Sequence, residues 1–200
     1  EEASITTKGV YSRVDFRDAS LTGANFEEAS LATKGKSSEI YFGVASLTGA
    51  NFEKASLTTG NYQARINFQD ADLTGAYFEE ASLTTTGEQA TIEFVRANAA
   101  DVIFEKASLA TTGAHSEVNF LYTDLPRANF KEASIKTTGS FADITLQYTD
   151  LTRANFKEAS LATTGSFADI TFDYSDLTDA KFDGAYFDTK DGYVYNSDGS

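Results

Sequence analysis

The chain has 200 residues, with 16 Lys and Arg against 30 Asp and Glu, a formal net charge of −14. That length fits one domain or one repeat array, and that charge argues against a nucleic-acid or anionic-membrane partner, since both need clustered basic side chains. No run of about 18 apolar residues is present to span a bilayer, and the absence of Cys and Met removes thiol chemistry and leans toward an oxidising, extracytoplasmic setting.

Residues 1–5, EEASI, already stand inside a repeat. With no Met anywhere and no signal peptide at the start, the chain reads as a processed or trimmed product. From residue 19 the sequence returns at a constant interval, a period of 26. The copies are ASLTG (19–23), ASLTG (45–49), ADLTG (71–75), ANAAD (97–101), TDLPR (123–127), TDLTR (149–153) and SDLTD (175–179). The spacing never slips, which predicts coils stacked on one another in a single register.

Within each unit the first three elements are pentapeptides, in the first copy ASLTG, ANFEE and ASLAT (19–33). Each places a large apolar residue third, as in Leu47, Phe52 and Leu57. A period of five suits neither an α-helix nor a plain strand. It suits a chain that turns a corner every five residues, with the large residue inward and the preceding Ala letting the backbone approach. In the fourth unit Ala99 replaces the first-side Leu while Val102 replaces a small residue three positions later. Such a paired change conserves volume in a shared interior.

A fourth element follows, as in TGSFADITLQY (138–148) and TGSFADITFDY (164–174). Ala142, Ile144 and Leu146 alternate there with Asp143, Thr145 and Gln147, the mark of a half-buried strand. Gly9, Gly35, Gly60, Gly87, Gly113, Gly139 and Gly165 are expected to turn the chain into this strand at positive φ. The expected coil therefore has three short sides and one longer strand; four equal sides with a six-residue bulge at one corner is the alternative. Coils stacked at ~4.8 Å make a rod roughly 35 Å long.

The A-(S/D/N)-(L/F)-x-x pattern of these elements resembles the pentapeptide repeat family. The resemblance covers the three pentapeptides of each unit and recurs down the array. It implies an all-β fold, a right-handed parallel β-helix, here with about seven coils over residues 1–187 and a C-terminal cap or tail over 188–200. The family's coil is four pentapeptides; here a longer, strand-like segment stands in place of the fourth. The resemblance also implies a second kind of partner, because some members mimic DNA in shape and charge and bind DNA gyrase.

Function is sought on the outward columns. On the third side the rows Ser30, Ser56, Ser82, Ser108, Ser134, Ser160 and Thr33, Thr59, Thr85, Thr111, Thr137, Thr163 are read as facing out. They form either a hydroxyl ladder that holds the coils together or a flat contact face. The second side is charged, with acids in excess. Near the end of the fourth element Tyr122, Tyr148 and Tyr174 form a candidate aromatic edge, and Phe141 and Phe167 flank the glycine turns. Clustered exposed aromatics mark interfaces.

Catalysis is not expected. His115 is the one His, and no phosphate loop or triad spacing appears. The carboxylates lie on convex faces, where no pocket shifts their pKa values. In the tail Asp188, Asp191, Asn196 and Asp198 match no calcium loop, so no metal and no cofactor are assigned. The sequence thus points to a non-catalytic scaffold whose partner is protein, another copy side by side or end to end, or a different chain. The alternatives are an acidic DNA mimic acting on an enzyme such as DNA gyrase, and an ice-binding protein using the Ser/Thr face.

Overall fold

Each circuit of the backbone brings a residue alongside its counterpart in the next unit, as Ser46 comes to Asp72. A circuit turns four corners, which in the second coil fall at residues 43–44, 48–49, 53–54 and 62–63. The computed structural model describes residues 3–195. Third sides pair into an eight-stranded parallel sheet running from Ser4–Lys8 to Tyr186–Thr189. Fourth sides pair into a second eight-stranded parallel sheet from Arg13–Asp15 to Val194–Tyr195. The first and second sides are shorter and touch the next coil through single parallel bridges, such as Ser46↔Asp72 and Asn51↔Tyr77. The fold is a parallel β-solenoid of about seven coils, as the repeat predicted, and no helix occurs among the described residues.

The corners follow from local chemistry. A backbone that reverses within two residues needs a left-handed residue, and each corner has one: Val44 at φ 60°, Gly49 at 62°, Lys54 at 55° and Gln63 at 55°. The polar column before each inward residue holds the turn. Asn51 Oδ1 accepts the N–H of Glu53 at 2.9 Å, and Asn67 Oδ1 accepts that of Gln69 at 2.8 Å. This is the Asx turn for which Asn and Asp are suited. The remaining backbone groups bond to neighbouring coils, as when Phe52 N–H donates to Tyr77 C=O at 2.7 Å, so the stack satisfies what one coil alone would leave exposed.

The extra length lies elsewhere than the alternation suggested. The inward residues Phe68, Leu73, Phe78 and Leu83 are five apart, and Phe94 follows after eleven. Six added residues lengthen the third side to a five-residue strand, as in Ser134–Thr138, and widen the corner after it. The segment beyond the glycine is a three-residue strand, as in Asp143–Thr145. The reason is visible in the column Leu57-x-Thr59: the third side continues its in–out alternation past the pentapeptide, so no corner forms there. The glycine column also shifts. Gly60 lies within the third-side strand, paired with Lys34 and Thr86, and Asn61 takes the turn position at φ 91°.

Two aromatic ladders fill the rod. Phe26, Phe52, Phe78, Phe104, Phe130, Phe156 and Phe182 stack coil on coil at 4.6–5.1 Å. Phe16, Phe42, Phe68, Phe94 and Phe120 stack at 4.8–5.0 Å on the fourth side, until Leu146 ends the series. The two ladders meet edge to face, as Phe42 does Phe52 at 5.5 Å and 90°, a favoured aromatic geometry. Ala99 and Val102 are both fully buried, which bears out the volume exchange. In the end coils Phe16, Leu21 and Phe26, and Leu177, Phe182 and Phe187, are only partly covered.

The expected division at residue 188 falls inside the strand Tyr186–Thr189, which adds a rung to the third-side sheet. Val194–Tyr195 adds one to the fourth-side sheet. The tail residues Asn196, Asp198 and Gly199 lie outside the described residues.

Candidate functional site

The third-side strand sends Ser82, Thr84 and Thr86 outward and Leu83 and Thr85 inward. The Ser row (Ser30, Ser56, Ser82, Ser108, Ser134, Ser160) is therefore on the surface, half-buried except for the exposed Ser134. The Thr row is not. Thr33, Thr59, Thr85, Thr111, Thr137 and Thr163 are all fully buried, a correction to the outward placement read from the sequence. The outward threonines of these strands are Thr6, Thr58, Thr84, Thr86, Thr112 and Thr138, which the steps of two and four from each Ser would have located.

Buried, the Thr hydroxyls serve the corner. Thr33 Oγ1 bonds Ser38 Oγ at 3.1 Å, Ser116 Oγ bonds Thr111 Oγ1 at 3.1 Å, and Thr163 Oγ1 donates to Ala168 C=O at 3.0 Å. Thr59 and Thr85, which face Ala64 and Ala90 instead of Ser, have no partner. With the Thr row inside, the regular threonine lattice that motivated an ice-binding face is not presented to solvent.

The second side and the corners carry ion pairs between coils. Lys131 bridges Glu105 at 2.9 Å and Glu132 at 2.9 Å. Arg96 holds Asp70 through two bonds of 2.7 and 2.8 Å, and Arg127 holds Asp101 through two of 2.7 and 2.6 Å. In each case the basic side chain keeps the carboxyl below its ordinary pKa. These groups are largely solvated, so each pair contributes little to stability.

The fourth side has a different electrostatic character. Its outward row runs Arg13, Glu39, Arg65, Thr91, Glu117, Asp143 along the strand pairing, with Asp169 one coil further. Arg13 pairs with Glu39 at 2.7 Å. At the other end, burial pushes the Glu117 carboxyl above the usual carboxylate range, and the like charges of Asp143 and Glu93 add to the shift. Thr145 Oγ1 donates to it at 2.6 Å. Burial likewise raises Asp143, against the opposing hydrogen bond from Asp169 N–H at 2.8 Å.

Two aromatic ladders border this half of the fourth side. Tyr122, Tyr148 and Tyr174 stack at 4.9 and 4.8 Å and are 52%, 45% and 67% exposed. At the opposite corner His115, Phe141 and Phe167 stack at 5.1 and 5.2 Å, with Phe167 66% exposed. The sequence marked Phe141 and Phe167 beside the glycine turns but did not join His115 to them, because its ring differs. Its signal is the column two residues after Gly113, Gly139 and Gly165. All six residues occupy left-handed corner positions, at φ 52–59°, which aim side chains out from the rod. Among the described residues, no group of three or more His, Cys, Asp or Glu could hold a metal ion.

Comparison with known proteins gives a fold-level answer. A family profile described as Pentapeptide repeats matches in 8 copies, over residues 12–32 and 64–86. Among solved structures, HetL, a pentapeptide repeat protein involved in heterocyst differentiation regulation from the cyanobacterium Nostoc sp. strain PCC 7120, is 18% identical, covering 88% of this chain and 87% of its own, with a TM-score of 0.18. A trypsin-treated form of QnrB1, a plasmid-mediated fluoroquinolone resistance protein, is 13% identical over 94% of this chain and 91% of its own, with a TM-score of 0.29. Full-length QnrB1 is 14% identical over 94% of each chain, with a TM-score of 0.28. No curated protein matches.

Proposed function

The chain belongs to the pentapeptide repeat family, whose members are generally non-catalytic, and from that premise we propose that it is a β-solenoid scaffold acting through protein contact, in self-assembly or with another protein. The observation that carries this reading is the pair of exposed aromatic ladders, Tyr122–Tyr148–Tyr174 and Phe141–Phe167, along the two edges of one sheet face. A rod that buries the ladder phenylalanines of its middle coils leaves these rings in water, and clustered exposed apolar surface of this kind belongs to interfaces. The Ser row of the third side is a second, flatter contact surface in the same reading.

Sedimentation and electron microscopy from about 1 to about 100 µM test it. Oligomers or fibres that the double substitution Tyr148→Ser, Phe167→Ser abolishes support the reading. A strict monomer that forms no assembly overturns self-assembly.

A second reading, an acidic mimic of duplex DNA, draws support from the net charge of −14. Spread over the rod this is one charge per ~2.5 Å, against one per ~1.7 Å in DNA. Arg13, Arg17 and Arg65 interrupt the acidic surface in the first three coils. A gyrase supercoiling assay unaffected by excess protein discards this reading.

A further inference from the structure

We propose that the fourth side is a self-association surface on which two copies of this chain pack antiparallel, about a two-fold axis through the fourth coil. The proposal rests on the protein-contact reading above and adds the partner, the face and the direction.

Exposed apolar residues are concentrated there. Of the fourteen large hydrophobics left exposed among the described residues, eleven lie on the fourth side or its two corners. They occur in both halves of the rod: Tyr11, 76% exposed, and Val44, 54%, near one end, and the two ladders near the other. The distribution of charge along the same face is uneven. The basic side chains Arg13, Arg17, Lys36 and Arg65 all fall within the first three coils, where Asp15, Asp18, Glu39 and Asp70 balance them, whereas Glu117, Asp143, Asp169 and Asp173 stand in the last three with no Lys or Arg beside them. A copy turned end for end brings the mixed half of one chain, which holds all four of these basic side chains, onto the acidic half of the other, and a parallel copy sets acid on acid. Complementarity of this kind fixes orientation, and a two-fold interface uses the same patch twice.

The register follows from the coil count. The outward row has seven members centred on Thr91, and the two corner columns are centred on Gln89 and Arg96. Reversal about the fourth coil therefore sets Arg13 opposite Asp169, Arg65 opposite Glu117, Val44 opposite Tyr148, and Tyr11 opposite Phe167. Four like-charge meetings remain: Glu39 with Asp143, and Glu88, Glu93 and Arg96 each with its own copy. Three are already moderated within the chain: Arg13 binds Glu39 at 2.7 Å, Thr91 and Asn67 donate to Glu93 at 2.8 and 3.0 Å, and Asp70 pairs with Arg96 at 2.7 Å. A face ~16 Å wide and ~34 Å long buries about 1,100 Å² over both copies, at the lower end for a specific interface. The dimer is accordingly expected at micromolar concentration rather than nanomolar.

The chain contains no cysteine, so engineered thiols report the geometry cleanly. Val44 and Tyr148 are four coils apart, ~19 Å along the rod, too far for a bond within one chain. A chain carrying Val44→Cys is mixed with one carrying Tyr148→Cys at about 100 µM and oxidised. The expected product is the mixed disulfide dimer, with neither variant cross-linking to itself. Arg65→Glu is expected to weaken dimerisation of the unmodified chain at least tenfold in sedimentation equilibrium, while Lys54→Glu, on the second side, leaves it unchanged. Self-linked Tyr148→Cys dimers mean parallel packing and overturn the proposal. Association without the mixed cross-link, and indifferent to Arg65→Glu, also overturns it but leaves the scaffold reading standing on another face. A monomer throughout overturns both this proposal and self-assembly, leaving only a different protein as partner.

Discussion

Replacing Gly139 by Ala separates two reasons for a glycine that the sequence cannot tell apart. Gly139 has φ 133°, and a Cβ there would lie 2.2 Å from Gly113 O and 2.4 Å from Gly113 C. A normal carbon–oxygen contact is about 3.3 Å, so the two coils must part by roughly 1 Å at this corner. Two inter-coil hydrogen bonds flank it, Gly113 N–H to Thr138 C=O at 2.7 Å and His115 N–H to Ser140 C=O at 2.9 Å. Losing both costs about 2 kcal/mol, and holding Ala at that φ costs about 1–3 kcal/mol. The lower entropy of the unfolded chain returns about 0.4–1 kcal/mol, for a net loss of about 2–5 kcal/mol. Gly9 has the same φ of 133° with nothing within 4 Å, so Gly9→Ala carries the backbone strain alone. Gly75 has φ 62° and open space, and its column admits Asp101, Arg127 and Arg153 at φ 59–61°, so Gly75→Ala should cost about 1 kcal/mol or less. Thermal unfolding reads these as Tm losses of about 4–20 °C for Gly139→Ala and under about 4 °C for Gly75→Ala. Equal losses for Gly139 and Gly9 would refute close coil approach as the cause.

Three further outcomes follow from the interior and the fourth side. Thr85→Val removes a fully buried hydroxyl without a partner and should be neutral or stabilising in urea titration, whereas Thr163→Val breaks the bond to Ala168 C=O and should cost about 1–3 kcal/mol. Phe78→Ala, in the middle of the second-side ladder between Phe52 and Phe104, should cost about 3–5 kcal/mol, read in the same titration. Glu117 has a folded-state pKa above its unfolded one, so the folded chain is favoured below the unfolded pKa and loses stability as pH rises through the folded value. Glu117→Gln should therefore raise Tm near pH 8 and leave it unchanged near pH 3.5; a parent chain whose stability is flat across that window contradicts the assignment.

The repeat made the solenoid legible because stacking demands identity between coils, and Leu, Phe and Ala columns are what a shared interior leaves in a sequence. Corners were harder to place. A pentapeptide announces its inward residue but not where the side ends, and Leu57-x-Thr59 reads equally as a corner or as a longer strand. That ambiguity put Thr59, Thr85 and their column on the wrong face. Gly60 misled in the same way, because its composition matched the glycine column while its register was one residue short, and Asn61 performs the turn. The aromatic edge Tyr122–Tyr148–Tyr174 was visible because the residue type repeats. Phe141 and Phe167 were visible too, but the extension of their stack to His115 was not, because stacking tolerates a change of ring.

Every corner asks one thing of its residue, a left-handed backbone, and asks nothing of the side chain beyond tolerating it. Asp18, Val44, Asp70, Arg96 and Tyr122 occupy the same corner in successive coils, all with φ between 55° and 60°. Asp bears that backbone most readily and the β-branched Val44 least, but all five side chains lie outside the core, so exchanging one for another leaves the interior undisturbed. Four such columns run the length of the rod, separated from the phenylalanine ladders by the backbone itself. Variation in these columns can rewrite what the protein meets while the coil that presents it stays the same, and a lineage of such rods can acquire new partners without passing through an unfolded ancestor.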